Sequence, residues 1–329
     1  MTSSLPLIRL SAANPFLLEL RNRKLDAAQV LREMDLPEKI PASSEIFISS
    51  QAMYQIVEQS GGIANDAHLG FTVGQKTDLS DWAPMAAAAA EADTVGDLLN
   101  RFIVNALDHT SSTEFFLCTE GDRTTFGFRR LAAPLVVPAQ NDAFYVGLLA
   151  KVLLQAARAQ WDPAAVLFKV ADPSAIPPLP DSARVVKGDR LGVQMSFPST
   201  WLFERFEKTL FSSHEPETTE TCPPGSLIEA LHLALLPYMH EPDLNGDRAA
   251  NICGYDKRRL ARQLRARGTT LGKEIAALRA KHAQNGLINS DRRVFEIAQS
   301  IGFKDPAVFS RAFKKWTGQS PQEYRRTHR

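Results

Sequence analysis

Three cysteines in 329 residues leave little to cross-link. Cys118, Cys222 and Cys253 form no Cys-x-x-Cys pair and no other paired spacing. That excludes a disulfide framework and the usual zinc-ligand patterns. The chain also lacks His-Glu-x-x-His, Gly-x-Ser-x-Gly, a Walker-type phosphate loop and Gly-x-Gly-x-x-Gly, so the familiar hydrolase and nucleotide signatures are absent. No catalytic residue, metal or cofactor is expected. The apolar stretch LIEALHLALLPYM is too short to cross a bilayer and carries Glu229 and His232. MTSSLPLIRLSAANPFLLEL places its arginine after the first apolar run and a proline within it, unlike a secretory signal. A cytoplasmic protein with no membrane partner is therefore expected.

Net charge is also nearly missing: 38 Lys+Arg against 37 Asp+Glu give +1. The balance conceals an asymmetry. Residues 225–329 hold 19 basic and 10 acidic residues, whereas residues 1–224 hold 19 and 27. A basic last third on an acidic remainder implies that only one part meets nucleic acid. HEPETTETCPPG, between them, is rich in Pro, Thr and Glu and reads as an exposed linker. The expected division is residues 1–213, a linker at 214–224, and residues 225–329.

What is present is clearest near the C-terminus, in IGFKDPAVFSRAFKKWTG. Asp305 suits an N-cap, Pro306 the first helical position and Gly318 the stop. On a helical period, Phe309, Ala312, Phe313 and Trp316 share one face. Ala307, Ser310, Arg311, Lys314 and Lys315 share the other, with Val308 at the boundary. A single basic outer face is usually just solvated surface.

Here the pattern occurs twice. In AANICGYDKRRLARQLRARG, Asp256 corresponds to Asp305, Leu260 and Leu264 to Phe309 and Phe313, and Arg262 to Arg311. Upstream of the cap, Ala250, Cys253, Gly254 and Tyr255 correspond to Ala298, Ile301, Gly302 and Phe303. Each copy reads as a short helix, a glycine turn and a second helix with a basic face, which is a helix-turn-helix. LGKEIAALRAKHAQNGLI supports a connecting helix from about Leu271 to Asn285.

Residues 226–329 resemble the AraC/XylS DNA-binding domain, with its signature in IAQSIGFKDPAVFSRAFKKWTGQSPQEYRR. The resemblance implies two units reading successive major-groove segments roughly 10 base pairs apart. Carried over by position, the base-reading candidates are Arg258, Ala261 and Arg262 in the first unit and Ala307, Val308 and Arg311 in the second. The arginines can donate paired hydrogen bonds to guanine, whereas Ala261, Ala307 and Val308 offer only apolar contact, for example to a thymine methyl. The second unit would then depend more on backbone contacts and DNA shape. Lys257, Arg265, Lys304, Lys314 and Lys315 are assigned to phosphates, and Arg259 to phosphate or solvent.

The acidic part mixes helices and strands. Helices are expected in QAMYQIVEQSGG, in TVGDLLNRFIVNAL and across 143–161. In the second, Val95, Leu98, Leu99, Phe102, Ile103 and Leu107 would face inward. TEFFLCTEGDRTTFGFRR reads as a hairpin, and AAVLFKVA and RLGVQMSF as strands. HLGFTVGQKTDLSDWAPMAAAAAEADTVGDLLNRF and the hairpin resemble the arabinose-binding-like domain of a subgroup of AraC regulators, including the ornithine-utilisation type. Candidates for an effector pocket are Trp82, Phe115, Phe126, Phe128 and Tyr145, with His68, Arg129 and Arg130 available to an anion. The bland alternative is ordinary core and surface.

The expected fold is an α+β N-terminal sensor domain followed by an all-α DNA-binding domain with two helix-turn-helix units joined by a linker helix. The resemblance implies a transcription regulator, an activator rather than a repressor, controlled by a small-molecule effector. Its partners would be double-stranded DNA, RNA polymerase and a second copy of the chain. The alternatives are a ligand-independent regulator or a repressor and, behind them, an enzyme fused to a DNA-binding domain.

Overall fold

The computed structural model describes residues 5–38, 46–78, 83–157, 162–179, 183–206, 223 and 225–329. They divide into two compact units, one of Gly225–Arg329 and one formed by the residues before it. The expected linker lies outside the described residues apart from Pro223, as do Trp82 and the last residues of the helix expected to reach Trp161.

The N-terminal unit is α+β. Its elements are β1 (Leu7–Arg9), α1 (Asn14–Asn22), α2 (Ala28–Arg32), β2 (Phe47–Ser49), α3 (Ser50–Ala64), α4 (Leu69–Lys76), α5 (Ala83–Glu91) and α6 (Val95–Ala106). There follow β3 (Thr113–Glu120), β4 (Arg123–Arg130), α7 (Ala139–Ala157), β5 (Leu167–Val170), β6 (Arg184–Lys187) and β7 (Gly192–Pro198). Strands β1 and β2 form an antiparallel pair. The other five make a sheet in the order β3-β4-β7-β5-β6, antiparallel except for β5 with β6. The β3–β4 hairpin turns at Gly121-Asp122 as the sequence predicts.

The register pairs Phe115 with Phe128, and Met195 with both Phe126 and Phe168. Alternation then sends Phe126, Phe128, Val193, Met195 and Phe168 to one face, where all are buried. Helices α6 and α7 pack against this sheet. Ser49 and Thr94 cap α3 and α6, accepting from Ala52 N at 3.2 Å and Asp97 N at 3.1 Å. The α6 face differs at its end from the periodic expectation. The helix stops at Ala106, so Leu107 leaves the stripe and is 61% exposed.

Helix α7 is held by two polar devices that hydropathy does not show. Against α4, the backbones approach so closely that a Cβ at Gly70 would lie 2.0 Å from the Gln140 carbonyl oxygen, and one at Gly74 2.2 Å from that of Phe144. Gly70 N donates to the Gln140 side chain at 2.7 Å, and the Gln75 side chain donates to Gly147 O at 2.7 Å. Beneath the sheet, the fully buried Arg130 and Asp142 side chains form an ion pair. Arg130 also donates to Tyr54 Oη at 3.2 Å, Asn141 Oδ1 at 2.9 Å and Arg190 O at 3.1 Å. Asp142 accepts from Ala171 N at 2.9 Å. Burial opposes the charge on Arg130, but Asp142 and Tyr54 more than offset it and hold the guanidinium above its ordinary value. This corrects the expectation that Arg130 is available to an anion.

The C-terminal unit is all helical: α8 (Leu227–Leu235), α9 (Gly246–Ile252), α10 (Lys257–Arg265), α11 (Leu271–Asn289), α12 (Val294–Ser300), α13 (Pro306–Thr317) and α14 (Pro321–His328). Helix α11 runs one turn beyond the expected Asn285. Gly286 does not stop it but sits against α12, where an added Cβ would meet Ile297 Cγ1 at 3.3 Å. Among the described residues, no helix is long and apolar enough to cross a membrane.

Two outcomes follow from these contacts. Asp142→Asn leaves a buried guanidinium uncompensated and should lower stability by about 3–5 kcal/mol. Paired replacement by Arg130→Met and Asp142→Leu should recover part of that loss in urea denaturation. Glu58 accepts from Gln140 N at 2.9 Å and Asn141 N at 3.3 Å. Burial outweighs these bonds and raises its carboxyl to about 7. A raised acid favours folding while protonated, so stability should decline as pH rises from the ordinary carboxylate range through 7. Glu58→Gln should flatten that decline in melts taken across pH 5–8.

Candidate nucleic-acid interface

The two halves of the C-terminal unit share a turn atom for atom. Gly254 N donates to Asn251 O at 2.9 Å and Tyr255 N to Ala250 O at 3.0 Å. At positions 48 further on, Gly302 N donates to Gln299 O at 3.0 Å and Phe303 N to Ala298 O at 3.0 Å. Both glycines are left-handed, with φ of +61° and +83°. Gly302 has a second constraint: a Cβ there would lie 2.5 Å from the Glu241 carbonyl oxygen.

Each second helix then starts on an aspartate. Asp256 accepts from Arg259 N at 2.8 Å, and Asp305 accepts from Ala307 N at 2.7 Å. Leu260 and Leu264 of α10, and Phe309 and Phe313 of α13, are fully buried as the periodicity predicts. Trp316 is only half-buried and packs edge-on against Phe303 with ring centroids 5.9 Å apart. It closes the side of the core and does not fill its centre. Cys253 lies in the first core, where burial pushes its thiol up to about 12.

Opposite these cores lie the six base-reading candidates. Arg258 and Arg262 of α10 and Ala307, Val308 and Arg311 of α13 are exposed, and Ala261 is half-buried. Val308, placed at the boundary from sequence, is 42% exposed. Among the described residues, the side chains of Arg258, Arg262 and Arg311 make no hydrogen bond or ion pair. Arg265, Lys304, Lys314 and Lys315 are likewise exposed, whereas Lys257 pairs with Asp247 at 2.6 Å. Arg259 lies over the Tyr255 ring at 5.2 Å, so its outward position also serves the turn.

The support behind the second turn is not visible as a motif. Arg279 of α11 donates to Glu241 O at 3.0 Å and lies 5.6 Å from the Phe303 ring centroid. Arg248 forms a two-bond pair with Glu241 at 3.0 and 2.8 Å. In sequence, Arg279 is one more cation on a polar helix. Only the fold places it beneath the Gly302 turn.

In the N-terminal unit, four aromatic candidates form one cluster. Phe115 lies 5.4 Å from Phe128 and 6.4 Å from Tyr145, Phe128 lies 4.7 Å from Tyr145, and Phe126 reaches the group through Phe102. Trp82 lies outside the described residues. Arg129 pairs with Glu114 across the hairpin at 2.6 Å. His68 stands just before α4, with a buried Nδ1 that has no partner among the described residues.

A fold of this kind, with an α+β unit ahead of a repeated helix-turn-helix, defines a class of DNA-binding regulators. Residues 249–327 match the family described as "Helix-turn-helix domain". Residues 25–180 match the "Arabinose-binding domain of AraC transcription regulator, N-term". The chain is thus similar to AraC transcription regulators in its N-terminal part and carries a helix-turn-helix domain in its C-terminal part. It is 36% identical over 101 residues to the Ornithine utilization regulator of Pseudomonas aeruginosa, covering 31% of this chain and 29% of that protein. It is 29% identical over 133 residues to the HTH-type transcriptional activator RhaR of Klebsiella pneumoniae, covering 39% of this chain and 46% of that one. These matches span less than half the length of either relative. The crystal structure of the transcriptional regulator CdpR from Pseudomonas aeruginosa aligns over 96% of this chain and 98% of its own, with 15% identity and a TM-score of 0.37.

The packing separates the two aromatic roles on α13. Phe309→Ala should cost about 3–5 kcal/mol in denaturation of the protein, because it empties a closed core. Trp316→Ala should cost distinctly less, since solvent already reaches part of the ring. Equal losses would place Trp316 in the core.

Proposed function

We propose that the chain is a sequence-specific DNA-binding regulator of transcription, controlled by a small molecule bound in its N-terminal unit. The observation that carries this reading is the duplicated turn. It presents Arg262 and Arg311 at equivalent outward positions, each unpaired among the described residues and each over a closed apolar core. An unpaired guanidinium on a rigid helix retains its full donor set for guanine O6 and N7. Arg258, Ala261, Ala307 and Val308 complete the base-reading surface in this reading, and Arg265, Lys304, Lys314 and Lys315 meet phosphates. Lys257 joins them at the expense of its Asp247 pair.

The activator assignment follows the similarity to the transcriptional activator of Klebsiella pneumoniae, and the effector assignment follows the family matched by residues 25–180. RNA polymerase and a second copy of the chain are the partners this role implies. The cytoplasm is the compartment in which it operates.

Binding to a randomised operator library at two salt concentrations tests the DNA reading. Arg262→Ala should cost about 1–3 kcal/mol on the selected site and relax preference at one or two bases. Arg311→Ala should do the same roughly one helical turn away. Lys315→Ala should weaken all sequences alike and reduce the salt slope by about one phosphate. Uniform losses across sequences for both arginine variants would make those residues phosphate clamps and overturn their assignment.

A further inference from the structure

Among the described residues, the second face of the five-stranded sheet is not covered as the first is. Its side chains include Phe116 on β3, Arg129 on β4, Lys169 on β5 and Gln194 on β7, as the strand alternation requires. Between them lies a cavity of about 170 Å³, closed on one side by the loop that carries Asp189 and Leu191. That is close to the volume that admits a benzene ring, so it suits a molecule of about ten heavy atoms or fewer.

Its lining is chemically mixed in a specific way. Phe116 supplies an aromatic wall; its ring lies over Gly127, where an added Cβ would come within 3.2 Å of Phe116 Cζ. Leu191, 40% exposed, adds an apolar side. The two cations differ in state. Arg129 is already paired with Glu114 at 2.6 Å, whereas the Lys169 ammonium makes no ion pair or hydrogen bond among the described residues. Lys169 is instead laid along Gly188, whose added Cβ would meet its Cγ at 2.8 Å. Asp189 commits one oxygen, Oδ1, to Leu191 N at 2.8 Å. Its Oδ2 has no partner among the described residues. One uncommitted ammonium and one half-committed carboxylate thus border the same small, partly aromatic cavity.

We propose that this cavity binds an amino-acid zwitterion, with its carboxylate on Lys169, its ammonium on Asp189 and its side chain against Phe116 and Leu191. A simple anion would leave Asp189 facing like charge, and a simple amine would leave Lys169 doing so. A zwitterion answers both, and the Gln194 amide can bond either end.

The same loop reaches the buried pair under α7. Leu191 O accepts from Arg130 N at 2.6 Å, and Arg190 O accepts from Arg130 Nη1 at 3.1 Å. A ligand held by Asp189 therefore bears on the residue that Asp142 of α7 neutralises. This site deepens the effector reading given above and rests on that reading only for its consequence to DNA binding.

Calorimetric titration of the full chain with each common L-amino acid at up to millimolar concentration tests the proposal. At least one should bind saturably, and its carboxylate-only and amine-only analogues should bind at least about tenfold more weakly. Lys169→Gln and Asp189→Asn should each weaken binding about tenfold. Asparagine keeps the Oδ1 acceptor for Leu191 N, so the loop is retained. Arg184→Gln, on the same sheet face outside the cavity, should change nothing. The proposal is overturned if no amino acid binds, if either analogue binds as well, or if Lys169→Gln has no effect. Operator binding by the same preparations separates the two readings. Failure of the unmodified chain to bind any amino acid, with operator binding intact, sinks only this inference. Amino-acid binding without sequence-specific DNA binding sinks only the regulator reading.

Discussion

The left-handed turn at Gly302 fixes what the rest of the C-terminal unit can present. The residue must adopt φ of +83°, and its missing side chain is the space into which the Glu241 carbonyl fits. Any other residue would both strain the turn and push α12 and α13 off the loop that supports them. The angle between those helices decides whether Arg311 projects outward over Phe309 and Phe313. The first unit uses the same bonds at Gly254, so the same constraint orients Arg262. The outward surface proposed to read bases is therefore a consequence of turn geometry set by two glycines and two capping aspartates.

The N-terminal unit obeys a different constraint. Its sheet and helices are tied by groups that must stay polar inside an apolar core. Arg130 is satisfied by a carboxylate, a phenol, an amide and a main-chain carbonyl contributed by three separate segments. Buried charge tolerates no loose geometry, because losing one partner leaves the other desolvated and unpaired. That makes α3, β4, α7 and the loop before β7 one mechanical assembly. The close α4–α7 approach through Gly70 and Gly74 extends it to a fifth segment.

The two units also divide their charge. The basic residues of the last third stand on helix faces away from their cores. The acidic excess lies in the residues before them. Confining positive potential to one surface directs the chain onto a polyanion in one orientation. In the proposed function, weak long-range attraction brings the chain to DNA, and short-range donors on α10 and α13 discriminate among sites.

The duplicated helix-turn-helix was legible because its signal is local. Cap, proline, glycine and helical period all lie within about twenty residues, and the repeat of Gly254 and Gly302 confirms each half against the other. The hairpin and the long helix α7 were legible for the same reason. The sequence alone thus determined the two helix-turn-helix copies and the helix between them, α3, α6, α7, the hairpin and strands β5 and β7, with the apolar faces of the reading helices and their aspartate caps. It did not reveal β6, whose Arg-Val-Val-Lys is short and polar at both ends, or that α11 continues through Gly286. Nor did it distinguish Arg130 from Arg129: adjacent arginines on one strand look alike until alternation sends one into the core and the other to the surface. The cavity at Lys169 and Asp189 was invisible for the same reason. Its walls come from strands and a loop far apart in the chain, and only sheet pairing brings them together. Tertiary structure decides these matters because burial, unlike helical period, depends on partners that sequence distance does not encode.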